Sequence, residues 1–330
     1  YKNILYKYNI MDKYVKRQPI EIIINSKRGT KIGDIDGYKF FDLDTEISAR
    51  KDEKILLHLK KAFIPFSFYC ISASQKNNML DIKETQSTGA TNTYAITIPD
   101  GNYNISGLLT KIQSLMDATT TFDYKYNLTY DEYTSKASFG ITSGTNLTNS
   151  QLLFSTGTNK DKSLVRVLGF TETDKTFDIS TKAVSDNVVD LADGLDSLHI
   201  KSNLVGDNIQ STTGAINGGE LLIIPVDLSP NSILYFNETS HPFKHQLSSS
   251  SFKRIVIRFS DNFDNVVDFN NIPFTLILIV EFIPDPNAMI TQQNRQLEMN
   301  KKNNMLSRED NMMNLYRYML NKANKKEIKK

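Results

Sequence analysis

Four histidines, a single cysteine and two groups of aspartates are the side chains of this 330-residue chain whose types could do chemistry. His241 and His245 stand four apart, the spacing that sets two imidazoles on one helical face as a metal pair. Pro242 falls between them and breaks such a helix, so Ser-His-Pro-Phe-Lys-His reads as a loop without a metal. His58 and His199 have no catalytic motif around them, and the chain contains no HExxH, phosphate-binding loop, dinucleotide glycine pattern or GxSxG elbow. No catalytic, cofactor-binding or metal-binding residue is expected. Asp34, Asp36, Asp42 and Asp44 form one acidic group, and Asp261, Asp264 and Asp268 another. Neither has the glycine and closing glutamate of a calcium loop, and both read as solvated loop acids. Cys70 is alone, which excludes an intrachain disulfide and a cysteine zinc site; among Phe66, Phe68, Tyr69 and Ile71 it reads as a buried small hydrophobe. Four Asn-x-Ser/Thr triplets, at Asn104, Asn127, Asn146 and Asn237, are chance products of an Asn-, Ser- and Thr-rich chain.

With little chemistry to position, the elements themselves carry the reading. Ile20 to Ile24 and Tyr38 to Asp44 read as short strands, and Lys54 to Ala73 as two strand segments with a bend or an edge position at Pro65. Tyr94 to Ile98 is a strand closed by the Pro99-Asp100-Gly101 turn. After it Ile105, Leu108, Leu109, Ile112, Leu115 and Met116 recur at helical spacing behind Asn104, a suitable N-cap; this helix should lie against a sheet. From Thr119 to Asp193 the text is polar and turn-rich, with short strands at 122–130, 136–142, 151–155 and 164–170. Regular strands return at 198–205, 220–228, 232–236, 252–259 and 274–282, the last two joined as a hairpin through residues 260–273. So many short strands suggest a β-sandwich. In the last strand both alternating sets are apolar, and Ile277 and Ile279 on the second face require a cover, from an inserted segment or another subunit.

The termini differ from the body. Residues 1–32 carry net +6, residues 286–330 net +6, and the middle net −10 within a total of +2. Basic ends of this kind are drawn to acidic protein, anionic lipid or nucleic acid, and Lys13, Lys16, Arg17, Lys325 and Lys326 are the candidate contacts. Past Pro284-Asp285-Pro286, read as a linker or stop, Met305, Met312 and Met319 repeat at seven residues beside Leu306, Met313 and Leu320, with Tyr316 between. Ser307-x-x-Asp310 would open that helix as a capping box. Its apolar face needs a cover from the body, a neighbouring subunit or a membrane surface. The longest apolar runs, Leu221 to Val226 and Leu276 to Val280, are far short of the ~20 residues of a membrane-spanning helix. Tyr1 to Ile10 lack the apolar run of a secretory signal, and since the sequence starts at Tyr1 nothing more is read from its start.

Six segments taken in order carry a resemblance: FIPFSFYCISASQKNNML, TYAITIPDGNYNISGLLTKIQSLM, SLVRVLGF, SLHIKSNLV, GGELLIIPVDLSPNSILYFNETSHPFKHQL and FKRIVIRFSDNFDNVVDFNNIPFTLILIVEF. Over roughly residues 54–283 the chain resembles the penton and minor capsid proteins of giant viruses, virophages and Polinton-like elements. The resemblance implies an antiparallel jelly-roll sandwich with an inserted α+β segment, here followed by an amphipathic helical tail outside the family pattern. The expected division is a basic arm at 1–33, a jelly-roll body at 34–285 with the insertion at about 119–193, and a tail at 286–330. It further implies a non-enzymatic protein of the virion, assembled in the infected cell with copies of itself, a pentamer among the options, and with the major capsid protein. The basic ends would touch internal membrane or packaged DNA, and no small-molecule substrate is expected. The interface candidates are Met305, Leu306, Met312, Met313, Tyr316, Met319, Leu320, Ile277 and Ile279. Two rival readings are a receptor- or glycan-binding fibre module, with an exposed groove at Tyr124, Tyr126 and Tyr130, and a glycosidase needing two opposed carboxylates.

Overall fold

A computed structural model describes residues 17–144, 146–206, 219–238 and 242–327, with the backbone alone at 289, 292, 293, 318 and 320–327. The chain begins with β1 (Ile20–Asn25), β2 (Thr30–Lys31), β3 (Tyr38–Ser48) and β4 (Glu53–Pro65). It then leaves for β5 (Met79–Gln86), β6 (Thr91–Thr97), α1 (Ile105–Thr119), β7 (Lys125–Asp131), β8 (Lys136–Ser143), β9 (Leu147–Leu152), β10 (Lys175–Phe177) and β11 (Ala183–Val184). It returns through β12 (Ser197–Ser202), β13 (Gly219–Pro225), β14 (Ile233–Asn237), β15 (His245–Gln246), β16 (Ser251–Ser260) and β17 (Thr275–Pro284), and ends in α2 (Pro286–Glu327).

The outer members of that list form two antiparallel sheets. One has the order β1-β17-β4-β14, with β15 also on β4; the other has the order β13-β12-β16-β3-β2. Alternation explains their packing: Leu276, Leu278, Val280 and Phe282 of β17, with Ile55, Leu57, Leu59, Ala62 and Ile64 of β4, meet Phe41, Leu198, Ile200, Ile255, Ile257 and Phe259 of the facing sheet in one buried cluster. This part is a β-sandwich. Numbered along the chain without the two-residue strands, its eight strands run 1-8-3-6 in one sheet and 5-4-7-2 in the other. β1 is an edge strand in register with β17, Ile22 opposite Leu278, so the expected arm 1–33 contains a strand of the sandwich itself.

A second buried cluster runs from Ile71 to Ala183. It lies between the sheets β10-β9-β5-β6 and β11-β8-β7, with α1 laid on β7 and β6. Asn104 caps α1 as expected, accepting from Gly107 N at 2.7 Å, and Leu108, Leu109, Ile112 and Met116 are its buried stripe. That stripe packs on strands of the second cluster and not on the sandwich. The buried side chains therefore divide near residue 70, where the sequence put the start of the insertion at about 119.

Further expectations are corrected. β16 and β17 are no hairpin: β16 pairs with β3 and β12, β17 with β1 and β4, and the connection crosses between sheets around buried Val267 and Phe269. No strand follows Pro65; residues 66–73 turn, with only an isolated bridge at Ile71. Residues 164–170 are turns, because Leu168 N bonds to Leu164 O and Gly169, at φ +75°, bonds to Arg166 O. Pro286 opens a helix where a linker was expected: at the first helical position its missing N–H costs nothing, and Asp285 accepts from Asn287 N at 3.0 Å. Ser307 and Asp310 then lie inside one 42-residue helix and cap nothing.

Candidate subunit-contact surfaces

Two surfaces are left open by this packing. The first is α2. Its backbone is helical from Pro286, directly after β17, and Met305, Leu306, Met312, Met313, Tyr316 and Met319 are all exposed, Met312 to 71%. The body does not cover them. The side chain of Leu320 and those of Lys325 and Lys326 lie outside the described residues, as do Lys13 and Lys16 entirely. None of the helices among the described residues is long and apolar enough to cross a membrane.

The second surface is the outer face of the β1-β17-β4-β14 sheet. Ile277 and Ile279 point there and are half-buried. Register places Ile23 of β1 beside Ile277, Phe63 of β4 beside Thr275, and Tyr235 of β14 beside Phe63. Ile23 is 66% exposed, Ile233 61%, Tyr235 54% and Phe63 40%, and the rings of Phe63 and Tyr235 stand 5.0 Å apart. Sequence reasoning identified the two β17 isoleucines but missed Ile23, Phe63, Ile233 and Tyr235. Their signal is the out-of-phase apolar residue in each strand, Ile23 within Ile-Glu-Ile-Ile-Ile and Phe63 before Ile64.

On the same face Pro19, Glu21, His58, Lys60, Glu238, Pro242, Ile279 and Glu281 line a hollow of about 430 Å³. Glu21 meets Lys60 at 2.9 Å and Glu281 meets Lys244 at 2.7 Å. Glu238 accepts from Phe243 N and faces His58 Nε2 at 3.9 Å. Burial pushes the His58 pKa down, so its imidazole tends to the neutral form, and its Nδ1 has no hydrogen-bond partner.

The other candidate residues have structural employment. Arg17, expected in the free arm, is fixed to the body: it donates to Ser48 O and to buried Glu53 at 3.2 Å, and stacks 3.6 Å over the Phe282 ring. Asp34 and Asp44 are exposed as expected, but several of the other aspartates are tied into the fold. Asp36 is buried between Lys31 at 2.8 Å and Lys39 at 3.3 Å, Asp42 on β3 takes a bidentate Arg254, and Asp264 binds Lys201 and Arg258. Asp261 is buried and accepts from the backbone N–H groups of Phe263 and Asn265, because a tight turn there leaves those donors without other partners. His245 is buried with Nε2 2.9 Å from Leu221 O, and His241 lies outside the described residues. Among the described residues there is no group of three or more His, Cys, Asp or Glu arranged to hold a metal. Cys70 is half-buried, and desolvation raises its thiol to about 11.

The tyrosines assigned to a glycan groove are in the second core. Tyr124 and Tyr126 are buried, Tyr126 OH donating to the fully buried Glu84 at 2.5 Å while Tyr94 OH donates to the same oxygen at 3.1 Å. Tyr130 is half-buried. These residues offer no open aromatic groove.

Neither a protein-family model nor a curated protein matches this chain. Among solved structures, the selenomethionine-labelled penton protein of mavirus aligns with 81% of this chain and 100% of its own length, at 14% identity and a TM-score of 0.43. A likeness of that size decides neither fold nor function.

Proposed function

We propose that this chain is a structural subunit of an icosahedral virus shell, a penton or a minor capsid protein, that works by contact with its neighbours and not by catalysis. The observation that carries the reading is the pair of open apolar surfaces on an otherwise closely packed chain. Monomeric proteins seldom leave contiguous apolar patches of this kind uncovered. The strand orders 1-8-3-6 and 5-4-7-2 support a jelly roll, two Greek keys folded into facing sheets, an architecture used by viral capsid and lectin domains. The segment resemblance over residues 54–283 favours the capsid branch, and the burial of Tyr124 and Tyr126 counts against the tyrosine groove considered for the glycan-binding branch. In this reading the second cluster is a unit inserted between the third and fourth jelly-roll strands. The partners are copies of the chain and the major capsid protein, the site of action is the virion, and the basic ends reach inner membrane or packaged DNA.

The test is co-assembly. Purified chain incubated with the major capsid protein of its own virus should be incorporated into sheets or shells seen by electron microscopy; exclusion from every assembled form refutes the proposal.

A further inference from the structure

We propose that the outer face of the β1-β17-β4-β14 sheet seats α2 of a second copy of this chain; the inference rests on the assembly reading above and names the contact that makes it. In this structure α2 does not lie on its own sheet, whose outer face stays exposed. The helix starts at Pro286 where β17 ends, and it is continuous. At ~1.5 Å per residue Met305 lies about 28 Å from that start and Met319 about 50 Å, while β17 itself is only about 34 Å long. Within one chain both the stripe from Met305 to Met319 and the face carrying Ile23, Phe63, Ile233 and Tyr235 stay exposed, so the helix leaves its own sheet uncovered and its apolar stripe is free for a neighbour.

Size and chemistry fit the seat. The axes of the four strands span about 14 Å, and the stripe from Met305 to Met319 is about 21 Å long, so one helix of about 10 Å diameter fits. Met312, Met313, Tyr316 and Met319 would lie over Ile23, Phe63, Tyr235 and Ile277, all of them exposed or half-buried. Beyond that apolar half, Glu21 and Glu281 at the hollow are paired with Lys60 and Lys244, and Glu238 is left with its Oε2 oxygen lacking a hydrogen bond. The helix brings Lys301, Lys302, Arg308 and Arg317, and the net charges of tail and body have opposite sign. Helix-on-helix packing fits less well: Lys302 and Glu309 stand at seven-residue spacing below Tyr316, so a coiled-coil seam along that line would bury them against their own copies. On the sheet face both signs of charge are present to receive them.

The test uses full-length chains with Cys70→Ser, one carrying Ile277→Cys and the other Met312→Cys, mixed under mild oxidation and resolved by mass spectrometry. The expected product is the disulfide between the two different chains, in at least fivefold excess over either like pair. A second readout leaves Cys70 untouched: Phe63→Glu and Met312→Glu chains should each lose association at least tenfold by light scattering, and their mixture should recover it as a pair. Preferential linking of Met312→Cys to itself would overturn the proposal in favour of a helix bundle. Undiminished assembly by the Phe63→Glu chain would overturn it in favour of another surface. A wild-type chain that stays monomeric at every concentration removes the assembly reading as well as this contact.

Discussion

Replacing Phe139 with alanine should lower one thermal transition of this chain and leave another in place. Phe139 on β8 is fully buried, its ring 5.8 Å from Phe170 and 6.3 Å from Phe177, and all three belong to the second cluster. Truncation of a buried phenylalanine costs about 3–5 kcal/mol through lost transfer energy and the remaining cavity. For a cooperative unit of roughly 120 residues each kcal/mol moves Tm by about 3–5 °C, so the affected transition should fall by about 10–20 °C. The other transition should stay, because what joins the two clusters is mostly polar: Asn77 to Asp193 at 3.0 Å, Arg166 to Asp193 at 2.9 Å, and Arg166 over the Phe263 ring at 4.3 Å. Scanning calorimetry reads both, and Phe259→Ala, in the sandwich with Phe269 and Phe274, is the reciprocal control. One shared transition, displaced equally by both substitutions, would refute the reasoning from two separate cores.

Other expectations follow from single residues. Arg17→Ala removes the hydrogen bond to buried Glu53 and the stacking on Phe282 and should cost about 1–3 kcal/mol in urea unfolding; an unchanged midpoint would return Arg17 to the free arm. Gly169→Ala should destabilise by more than the ~1–3 kcal/mol of a strained backbone, since at φ +75° the added Cβ would stand about 2.4 Å from the Asn187 carbonyl; wild-type stability there would contradict the turn. The Glu220 carboxylate, 3.1 Å from Nδ1, raises the His199 pKa above its ordinary 6.5, supported by Asn262. The protonated imidazole is therefore favoured in the fold: its stability is fully present below about pH 6.5 and is lost as pH rises through the raised value. His199→Gln should flatten that part of the stability profile, and an unaltered slope between pH 6 and 8 would rule the pair out as its source.

Local pattern made several elements legible. The spacing of Ile105 to Met116 gave α1 with its Asn104 cap, and the alternation in residues 274–282 gave β17 with a second apolar face. Of the two segments expected around Pro65, the first is there as β4 and the second is not. What escaped depended on partners distant in sequence. The strand β5 carries Asp81, Lys83 and Glu84, and it pairs with β6 and β9, so its text alone does not announce it. The hairpin expected at residues 260–273 failed because nothing local reveals that Phe259 and Phe274 end up on facing sheets. The cation partners of the aspartates were missed for the same reason: exposed Asp42 meets Arg254, which lies 212 residues away. Of the contact surface, Ile277, Ile279 and the methionine stripe were legible as unmatched apolar faces, while Ile23, Phe63, Ile233 and Tyr235 join them only through strand register.

The most direct test of assembly through these open surfaces is the molar mass of the purified chain by light scattering across a concentration series, with and without residues 286–330. The account predicts a defined oligomer for the whole chain and its dissociation when α2 is removed. A monomer in both forms at all concentrations would contradict it.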